Sequence, residues 1–251
     1  MTTSPLAVLT GASRGLGRAL ADALAASGYI VLIDARDSLA LETTAAAIRA
    51  RHDLPSRSVV ALPGDITDPG HRTALAAAAR DLGGASLLVN NAGTLGASPL
   101  PPVADYPIAE LRAALEVNVV APIALTQLLL PDLRRRGGAV LTVTSDAAVE
   151  AYAGWGGYGA AKAALEQACH VLAAEEPAVR VWRVDPGDLR TQMHQQAFPG
   201  EDISDRPLPE SVAPAFLRLI AERMPSGRYR AADLTPARAF APGPQVVEAR
   251  P

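Results

Sequence analysis

A tyrosine and a lysine stand four residues apart, at Tyr158 and Lys162, and Ser145 precedes the tyrosine by thirteen positions. Side chains at this spacing on a helix share one face and lie one turn apart. A free phenol has a pKa of about 10, and a neighbouring cation favours its ionised form. The pair is therefore a candidate proton donor or acceptor. The serine hydroxyl is a candidate for holding a carbonyl or alcohol oxygen beside the phenol.

Three glycines lie near the N-terminus, in the segment from Thr10 to Gly17 that reads TGASRGLG. An apolar run precedes them and an amphipathic segment follows, which predicts a strand, a tight turn and a helix. Glycine lets a backbone approach a phosphate closely, and a helix N-terminus offers N–H donors. An ordinary glycine-rich turn is the alternative, but the flanking strand and helix favour a phosphate-binding loop.

The composition narrows the class of protein. The chain has 251 residues, 49% of them hydrophobic, and a formal charge of −3. This predicts one large globular domain and gives no reason to expect a nucleic-acid partner. No apolar run approaches the about 20 residues of a spanning helix, so we expect no membrane association. The lack of a secretion signal and the single cysteine, Cys169, favour the cytoplasm, with Cys169 as a small buried helix residue.

Apolar segments alternate with alanine-rich helical segments. Strands are predicted at 6–10, 29–34, 58–62, 86–90, 139–144 and 179–184, and helices at 15–27, 38–51, 71–82, 107–136, 157–175 and 210–223. This alternation predicts a doubly wound α/β fold, a central parallel sheet with helices on both faces. Such a sheet binds ligands at the carboxyl ends of its strands. Polar or glycine-containing motifs follow five of the predicted strands, at the glycine loop, Asp65, Asn90, Ser145 and Pro186.

Taken in order, these motifs resemble those of the short-chain dehydrogenases/reductases. The glycine segment matches TGxxxGxG, Asp65-Ile66 matches an acidic-apolar pair that contacts adenine, and Asn90 to Gly93 matches NNAG. Asp185-Pro186-Gly187 followed by Thr191 matches the motif that contacts the nicotinamide. The resemblance runs from about residue 6 to about residue 195 and implies a single Rossmann-type domain.

The resemblance also implies a catalytic tetrad of Asn118, Ser145, Tyr158 and Lys162. Tyr158 would exchange a proton with the substrate oxygen, and Lys162 would lower the phenol pKa and bind the nicotinamide ribose. Ser145 would orient the substrate, and Asn118 would hold a water. The implied cofactor contacts are Gly11, Ser13, Arg14, Gly15, Leu16, Gly17, Asp34, Arg36, Asp65, Ile66, Asn91, Ala92, Gly93, Tyr158, Lys162, Pro186, Gly187 and Thr191.

The choice between NADP(H) and NAD(H) depends on the residues after the second strand. A carboxylate there accepts from the ribose 2′-OH of NAD and repels a 2′-phosphate, whereas an arginine binds the phosphate. The position of the family's NAD-selecting acid is Ala35 here, and Arg36 stands where NADP-preferring members carry a basic residue. We therefore expect NADP(H) to be preferred. A shift of one residue would bring Asp34 to the ribose, which leaves NAD(H) as the alternative.

Substrate contacts are expected after NNAG, between Ser145 and Tyr158, and in a lid over residues 188–209. The expected contacts are Leu95, Ala147, Tyr152, Trp155, Asp188, Met193, His194 and Phe198. This mixture predicts a partly apolar carbonyl or alcohol compound. Asp146, directly after Ser145, either shapes the site or is a solvated or capping carboxylate. The four histidines lack ligand spacing, so no catalytic metal is expected.

The preferred hypothesis is an NADP(H)-dependent carbonyl reductase or alcohol dehydrogenase. A non-catalytic dinucleotide-binding regulator is an alternative, although it would not need all four tetrad residues. An epimerase or dehydratase is disfavoured by the glycine spacing and the short chain. We expect the domain to span residues 1–234 and a proline-rich tail to span 235–251, and we expect a homodimer or homotetramer formed through helices 107–136 and 157–175.

Overall fold

A seven-stranded sheet forms the centre of the computed structural model, which describes residues 4–234. All neighbouring strands are parallel and lie in the order β3-β2-β1-β4-β5-β6-β7. The strands are β1 Leu6–Leu9, β2 Ile30–Ile33, β3 Val59–Ala61, β4 Leu87–Asn90, β5 Ala139–Val143, β6 Arg180–Asp185 and β7 Gly227–Arg230. The strand order reverses between β1 and β4, which is the switch point where such sheets bind ligands. The predicted doubly wound α/β fold is confirmed.

Alternate strand residues build two separate cores, because successive side chains of a strand point to opposite faces. On β1, Ala7 and Leu9 belong to one core cluster, and Leu6 and Val8 belong to the other. Both faces are covered by helices, which is why β1, β2 and β3 are apolar throughout rather than alternating with polar residues.

Helices pack on both sides of the sheet. They are α1 Gly15–Ala26, α2 Ser38–Arg51, α3 Pro69–Asp81, α4 Ile108–Leu115, α5 Ala121–Arg136, α6 Gly156–Glu175, α7 Gln192–Ala197, α8 Ala213–Ala221 and α9 Ala231–Leu234. The helix predicted over 107–136 is interrupted by a π-helical segment, Glu116–Val120, between α4 and α5. Such single-turn insertions occur often at functional sites, and apolar periodicity does not reveal them.

The stretch Ile108–Arg136 is long and apolar enough to cross a membrane by length and composition. Polar residues such as Asn118, Gln127 and Asp132 interrupt it, so it holds no continuous apolar run of that length. Leu125, Leu129 and Leu133 of this stretch are buried in one of the two cores. Core helices of globular proteins pass the same compositional test, and this buried face explains the apolar character of α5.

The segment after β6 carries short elements. It contains α7, a 3₁₀ turn at Pro209–Ser211, α8, and then β7, which pairs with β6 from Trp182↔Gly227 to Asp185↔Arg230. Trp182 is 1% exposed, and its Nε1 donates to Met224 O at 2.9 Å, which anchors the segment before β7 to the sheet. The domain bounds and the lid stay predictions, and the tail at 235–251 lies outside the described residues.

Candidate active site

A cleft of about 1350 Å³ runs along the carboxyl ends of the strands. It is lined by the glycine loop, the ends of β2 and β5, the NNAG segment, the start of α6 and α7. Every residue that the sequence predicts to contact a dinucleotide lines this cleft, as does Ser145. A single connected site therefore brings together segments from both halves of the chain.

The glycine loop needs its glycines for two different reasons. Gly11 and Gly15 have φ of +71° and +56°, in the left-handed region that favours glycine. A Cβ on Gly17 would lie 2.2 Å from Gly11 O, so the first turn of α1 packs directly on the loop. Asn91 Nδ2 donates to the backbone oxygens of Thr10 (2.9 Å) and Gly11 (3.1 Å), which joins the loop to the NNAG segment.

Asp34, at the end of β2, is turned into the protein. Its side chain is 2% exposed. Oδ1 accepts from Gly11 N at 2.9 Å, and Oδ2 lies 3.1 Å from Nε2 of His71. Because the side chain is this deeply buried, contact with a ribose would require it to turn out of this position. His71 was not singled out by the sequence, because only the fold brings it beside Asp34.

Two other carboxylates near this end of the cleft also have donors within the protein. Asp37 Oδ1 accepts from Ala40 N at 3.0 Å and caps α2. Asp65 Oδ1 accepts from the backbone N–H and the hydroxyl of Thr67, and the backbone bond is the main cause that lowers the Asp65 pKa. Arg36 is exposed and forms no hydrogen bond or ion pair with any residue of 4–234.

Tyr158 lies in the first turns of α6, which begins at Gly156, and is buried beside Ser145. Its pKa is raised well above the usual value, first by burial and then by the negative charges of Asp185 and Asp146. The hydrogen-bonding interaction with Ser145 acts in the opposite direction. The phenol is therefore protonated at neutral pH in this structure.

Lys162 lies one turn further along α6 and is 4% exposed. Its Nζ donates to Val143 O at 3.0 Å and lies 5.6 Å from the centre of the Tyr158 ring. Burial lowers the pKa of Lys162 to about 8, although Cys169 and Glu166 oppose this effect. The ammonium is thus held against the end of β5, close to the phenol, with a charge that titrates near neutral pH.

Asn118 is fully buried within the π-helical segment. Its Oδ1 accepts from Thr94 N at 3.1 Å and its Nδ2 donates to Thr94 O at 2.8 Å. A Cβ on Gly93 would lie 2.9 Å from that Oδ1 and 3.6 Å from Lys162 Nζ, so the amide and the ammonium approach the same glycine. The side chain fixes the segment after β4 beside Lys162, and its role in holding a water stays a prediction.

Asp146 organises the segment around Ser145. Its Oδ1 accepts from Ser145 Oγ at 2.9 Å, and its Oδ2 accepts from Tyr152 OH at 3.0 Å. Tyr152 also donates to Glu150, and these two bonds raise the Tyr152 pKa to about 12. From the sequence, Asp146 either shapes the site or is a solvated or capping carboxylate. In the structure, both of its carboxylate oxygens accept hydrogen bonds from side chains of this segment.

Arg228, on β7, contacts α6, the end of β6 and the segment after β5 that carries Ser145. Its Nε donates to Glu166 at 3.0 Å, and one terminal nitrogen donates to Ser145 O at 3.1 Å and lies 3.5 Å from Asp185. The guanidinium therefore fixes the backbone carbonyl group of Ser145 through a hydrogen bond. Sequence reasoning missed this residue because its partners are 43 to 83 positions away.

The predicted substrate residues separate into three groups. Leu95, Trp155, Asp188, Met193 and His194 line the cleft. Ala147 and Phe198 pack in an apolar cluster with Trp155 and Tyr158. Tyr152 is 43% exposed and is turned to Asp146 and Glu150. Over residues 4–234, no group of three His, Cys, Asp or Glu side chains could hold a metal ion.

An aromatic wall lies beside the phenol. The ring of Trp155 packs edge-on against Tyr158 with centroids 5.7 Å apart, and Phe198 lies 5.9 Å from Trp155 and 4.9 Å from His194. His194 is 9% exposed, and its Nε2 has no hydrogen-bond partner among the described residues. The cleft therefore combines apolar rings with a mostly buried imidazole.

A contact between the glycine loop and α7 closes one side of the cleft. Arg14 donates to the side chain of Gln192, although the two residues are 178 positions apart. Thr191 Oγ1 caps α7 by accepting from His194 N at 3.1 Å. Sequence analysis placed Arg14 and Thr191 at the cofactor but gave no reason to pair Arg14 with Gln192.

The cleft suits a nicotinamide dinucleotide on the basis of its own residues. The glycine loop ends at the N-terminus of α1, where backbone N–H groups bind phosphates. The exposed guanidinium of Arg36 lines the cleft after β2, and Tyr158 and Lys162 lie together in the same cleft. Arg36 suits the adenosine end of such a dinucleotide, and the Tyr158–Lys162 pair suits its nicotinamide ring.

Comparison with known proteins identifies relatives. Residues 5–202 match the family described as short chain dehydrogenase. A sepiapterin reductase from Meriones unguiculatus is 39% identical over 202 residues, covering 76% of both chains. A 3-oxoacyl-[acyl-carrier-protein] reductase of rhamnolipid biosynthesis from Pseudomonas aeruginosa is 35% identical over 181 residues, covering 68% of this chain and 66% of that protein.

Solved structures give the same result. A protein from Shigella flexneri, described as a short chain dehydrogenase and complexed with NADP, superposes with a TM-score of 0.84. It is 28% identical in sequence, and the match covers 91% of this chain and 97% of that one. The chain therefore belongs to the short-chain dehydrogenase/reductase family and is an NAD(P)-dependent oxidoreductase.

Proposed function

We propose that this protein is an NADP(H)-dependent reductase of a partly apolar carbonyl compound, with Tyr158 as the proton donor. The observation that carries the proposal is the meeting of Ser145, Tyr158 and Lys162 in one cleft with Arg36 at its other end. The dinucleotide would supply the hydride, or accept it in the reverse direction, and the protein would supply position and proton transfer.

Tyr158 suits the role of acid. A group that protonates a carbonyl oxygen must itself be protonated, and burial keeps the pKa of this phenol above its usual value. Ser145 lies beside it and would orient the substrate oxygen. Lys162, 5.6 Å from the ring, would stabilise the phenolate that remains after proton transfer. Asn118 would support this pair from the π-helical segment.

The preference for NADP(H) rests on charge at the adenosine end. Arg36 forms no hydrogen bond or ion pair with another residue of 4–234, and its charge helps to lower the Asp65 pKa. Its guanidinium donors are therefore free to bind a 2′-phosphate. The Shigella flexneri structure complexed with NADP supports the same preference.

The substrate class follows from the wall of the cleft. Trp155, which lines the cleft and packs against Phe198, favours a ring or alkyl group beside the carbonyl. Nε2 of His194 would bind one polar atom of the substrate. The two curated relatives carry names that imply different substrates, a sepiapterin and an acyl chain on a carrier protein. The proposal therefore names a class of compound rather than one molecule.

The test is oxidation of NADPH and NADH in the presence of a panel of ketones, aldehydes and quinones, with Tyr158→Phe beside the wild type. We expect NADPH-dependent turnover that falls by about 10²–10⁴-fold in the variant, the usual contribution of an acid–base group. Dinucleotide binding should persist. Tyr29→Phe is the matched control, since Tyr29 precedes β2 at the opposite end of the sheet from the cleft.

The outcomes separate the hypotheses. Turnover that survives in Tyr158→Phe would show that the phenol is not the acid. Tight dinucleotide binding without turnover on any compound of the panel would favour a non-catalytic regulatory protein. Faster oxidation of NADH than of NADPH would contradict the proposed cofactor preference.

A further inference from the structure

A buried histidine–carboxylate pair lies beneath the glycine loop. His71, in the first turn of α3, has its Nε2 3.1 Å from Oδ2 of Asp34. The His71 side chain is 7% exposed and the Asp34 side chain 2%. A carboxylate this deeply buried needs partners for its oxygens, because leaving one unpaired is unfavourable.

The backbone carbonyl oxygen and Oδ1 of Asp34 also accept hydrogen bonds from the glycine loop. Gly11 N donates to Oδ1 at 2.9 Å, and Ala12 N donates to the Asp34 carbonyl oxygen at 2.9 Å. The carboxylate is therefore held between the loop on one side and the imidazole on the other. At 2% exposure, the carboxylate would have to turn out of this position to face the cleft.

Gly64 provides the space for the imidazole. A Cβ at this position would lie 2.2 Å from Nδ1 of His71, well inside any normal contact. Gly64 N also donates to Ala35 O at 3.0 Å, which ties the end of β3 to the turn after β2. Three segments thus combine to keep the ring of His71 against Asp34.

The position of Asp34 makes this pair relevant to the cofactor. A carboxylate at the end of the second strand of such a fold accepts from the ribose 2′-OH of NAD and repels the 2′-phosphate of NADP. We propose that His71 sets dinucleotide selectivity by holding the Asp34 carboxylate beneath the glycine loop, away from the adenosine ribose. This inference rests on the proposed use of a nicotinamide dinucleotide.

Removal of the imidazole donor has a definite consequence. Oδ2 of Asp34 would be left buried without a partner, so the side chain would turn toward the cleft that Asp34 already lines. There it would accept a hydrogen bond from the 2′-OH of NAD and repel the 2′-phosphate beside Arg36. Selectivity would move toward NAD without any change to Arg36.

The experiment measures binding rather than turnover. Isothermal titration gives Kd for NADP⁺ and NAD⁺, and for the fragments 2′,5′-ADP and 5′-AMP, which differ by the 2′-phosphate. In His71→Leu we expect the ratio Kd(NAD⁺)/Kd(NADP⁺) to fall by about tenfold or more, equivalent to one charge-assisted contact. His71→Gln retains an N–H donor and should keep the wild-type ratio within about twofold.

Changes at Asp34 complete the test. The double variant His71→Leu with Asp34→Asn lacks the carboxylate and should recover the preference for NADP⁺. A wild-type ratio in His71→Leu alone, or an equal shift in the double variant, would overturn the proposal.

Asp34→Asn alone keeps the test decisive if His71→Leu fails to fold. Its amide can accept from Gly11 N and donate to the other tautomer of His71. The proposal expects both dissociation constants, and therefore their ratio, to stay close to the wild-type values. Selective loss of NAD⁺ affinity would mean that Asp34 already contacts the ribose, and would overturn the proposal. If the wild type binds neither dinucleotide, the proposed function fails with it; if it binds both and the ratio never moves, only this inference fails.

Discussion

The carboxylates at the two ends of the cleft act on different neighbouring groups. At the adenosine end, Asp34, Asp37 and Asp65 each accept a backbone N–H. At the chemical end, Asp146 and Asp185 add their negative charges to the surroundings of Tyr158, and both raise its pKa. The first end presents the cation Arg36 to the cleft, and the second end keeps a phenol protonated.

The comparison shows that hydrogen-bond donors alone do not decide how readily a carboxylate ionises. Asp185 has partners as well, since Gly187 N and Arg228 both approach it. Its pKa is nevertheless raised, first by burial and then by Asp146, against the effect of those partners. Depth and neighbouring charge outweigh hydrogen bonding at this end of the cleft.

Among the substitutions that test this comparison, Arg36→Ala is expected to have the largest effect. Without the guanidinium, the adenosine end loses its unpaired cation, and Kd for NADP⁺ should rise by about 10–100-fold, the value of one charge-assisted contact. Kd for NAD⁺ should stay unchanged because NAD lacks the 2′-phosphate. Titration of both dinucleotides measures the difference.

A control on the adjoining helix tests whether the effect is local. Arg51 ends α2 and pairs with Asp22, away from the cleft. Arg51→Ala should leave both dissociation constants unchanged. Equal weakening of NADP⁺ and NAD⁺ by Arg36→Ala would contradict the assignment of Arg36 to the 2′-phosphate.

Asp146→Asn is expected to have a smaller effect, a shift in the pH dependence of kcat/KM. Burial is the main cause of the raised Tyr158 pKa, and the charge of Asp146 contributes further. Removing that charge lowers the pKa, while an asparagine oxygen can still accept from Ser145. Alcohol oxidation needs the phenolate, so the alkaline rise of kcat/KM for oxidation should move to lower pH. Carbonyl reduction needs the phenol, so its alkaline decline should move the same way.

Glu150→Gln is the matched control for this pH profile. Glu150 also accepts from Tyr152 OH, but only Asp185 and Asp146 raise the Tyr158 pKa by their charges. We therefore expect no displacement of the profile in Glu150→Gln. An equal displacement in both variants would mean that the acidic segment acts through its shape and not through the charge of Asp146.

Local sequence patterns predicted those features of the fold and the site that depend on residues close together in the chain. The apolar runs of the strands, the glycine loop and the Tyr158–Lys162 spacing are of this kind, because strand and helix periods act over a few positions. The π-helical segment Glu116–Val120 was not predicted, since a single inserted residue leaves no periodic signal.

Contacts between distant segments account for the rest of what the sequence did not reveal. Asp34 and His71 are 37 positions apart, and Arg228 and Glu166 are 62 apart. Each member alone has the pattern of an ordinary polar residue. Only the closing of the sheet brings each pair together, and in both cases the pair lies behind the cleft and positions a residue that lines it.

The smallest effect is expected from Asp37→Ala, at the start of α2. The Asp37 carboxylate caps the helix by accepting from Ala40 N at 3.0 Å. Loss of such a cap costs about 1 kcal/mol, which lowers Tm by about 2–4 °C in a chain of this size. Asp37→Ser retains a capping oxygen and should keep the wild-type Tm in thermal unfolding. If Asp37→Ala instead tightened NADP⁺ binding at constant Tm, the carboxylate would be acting on the 2′-phosphate as a free charge, and the adenosine end would resemble the chemical end after all.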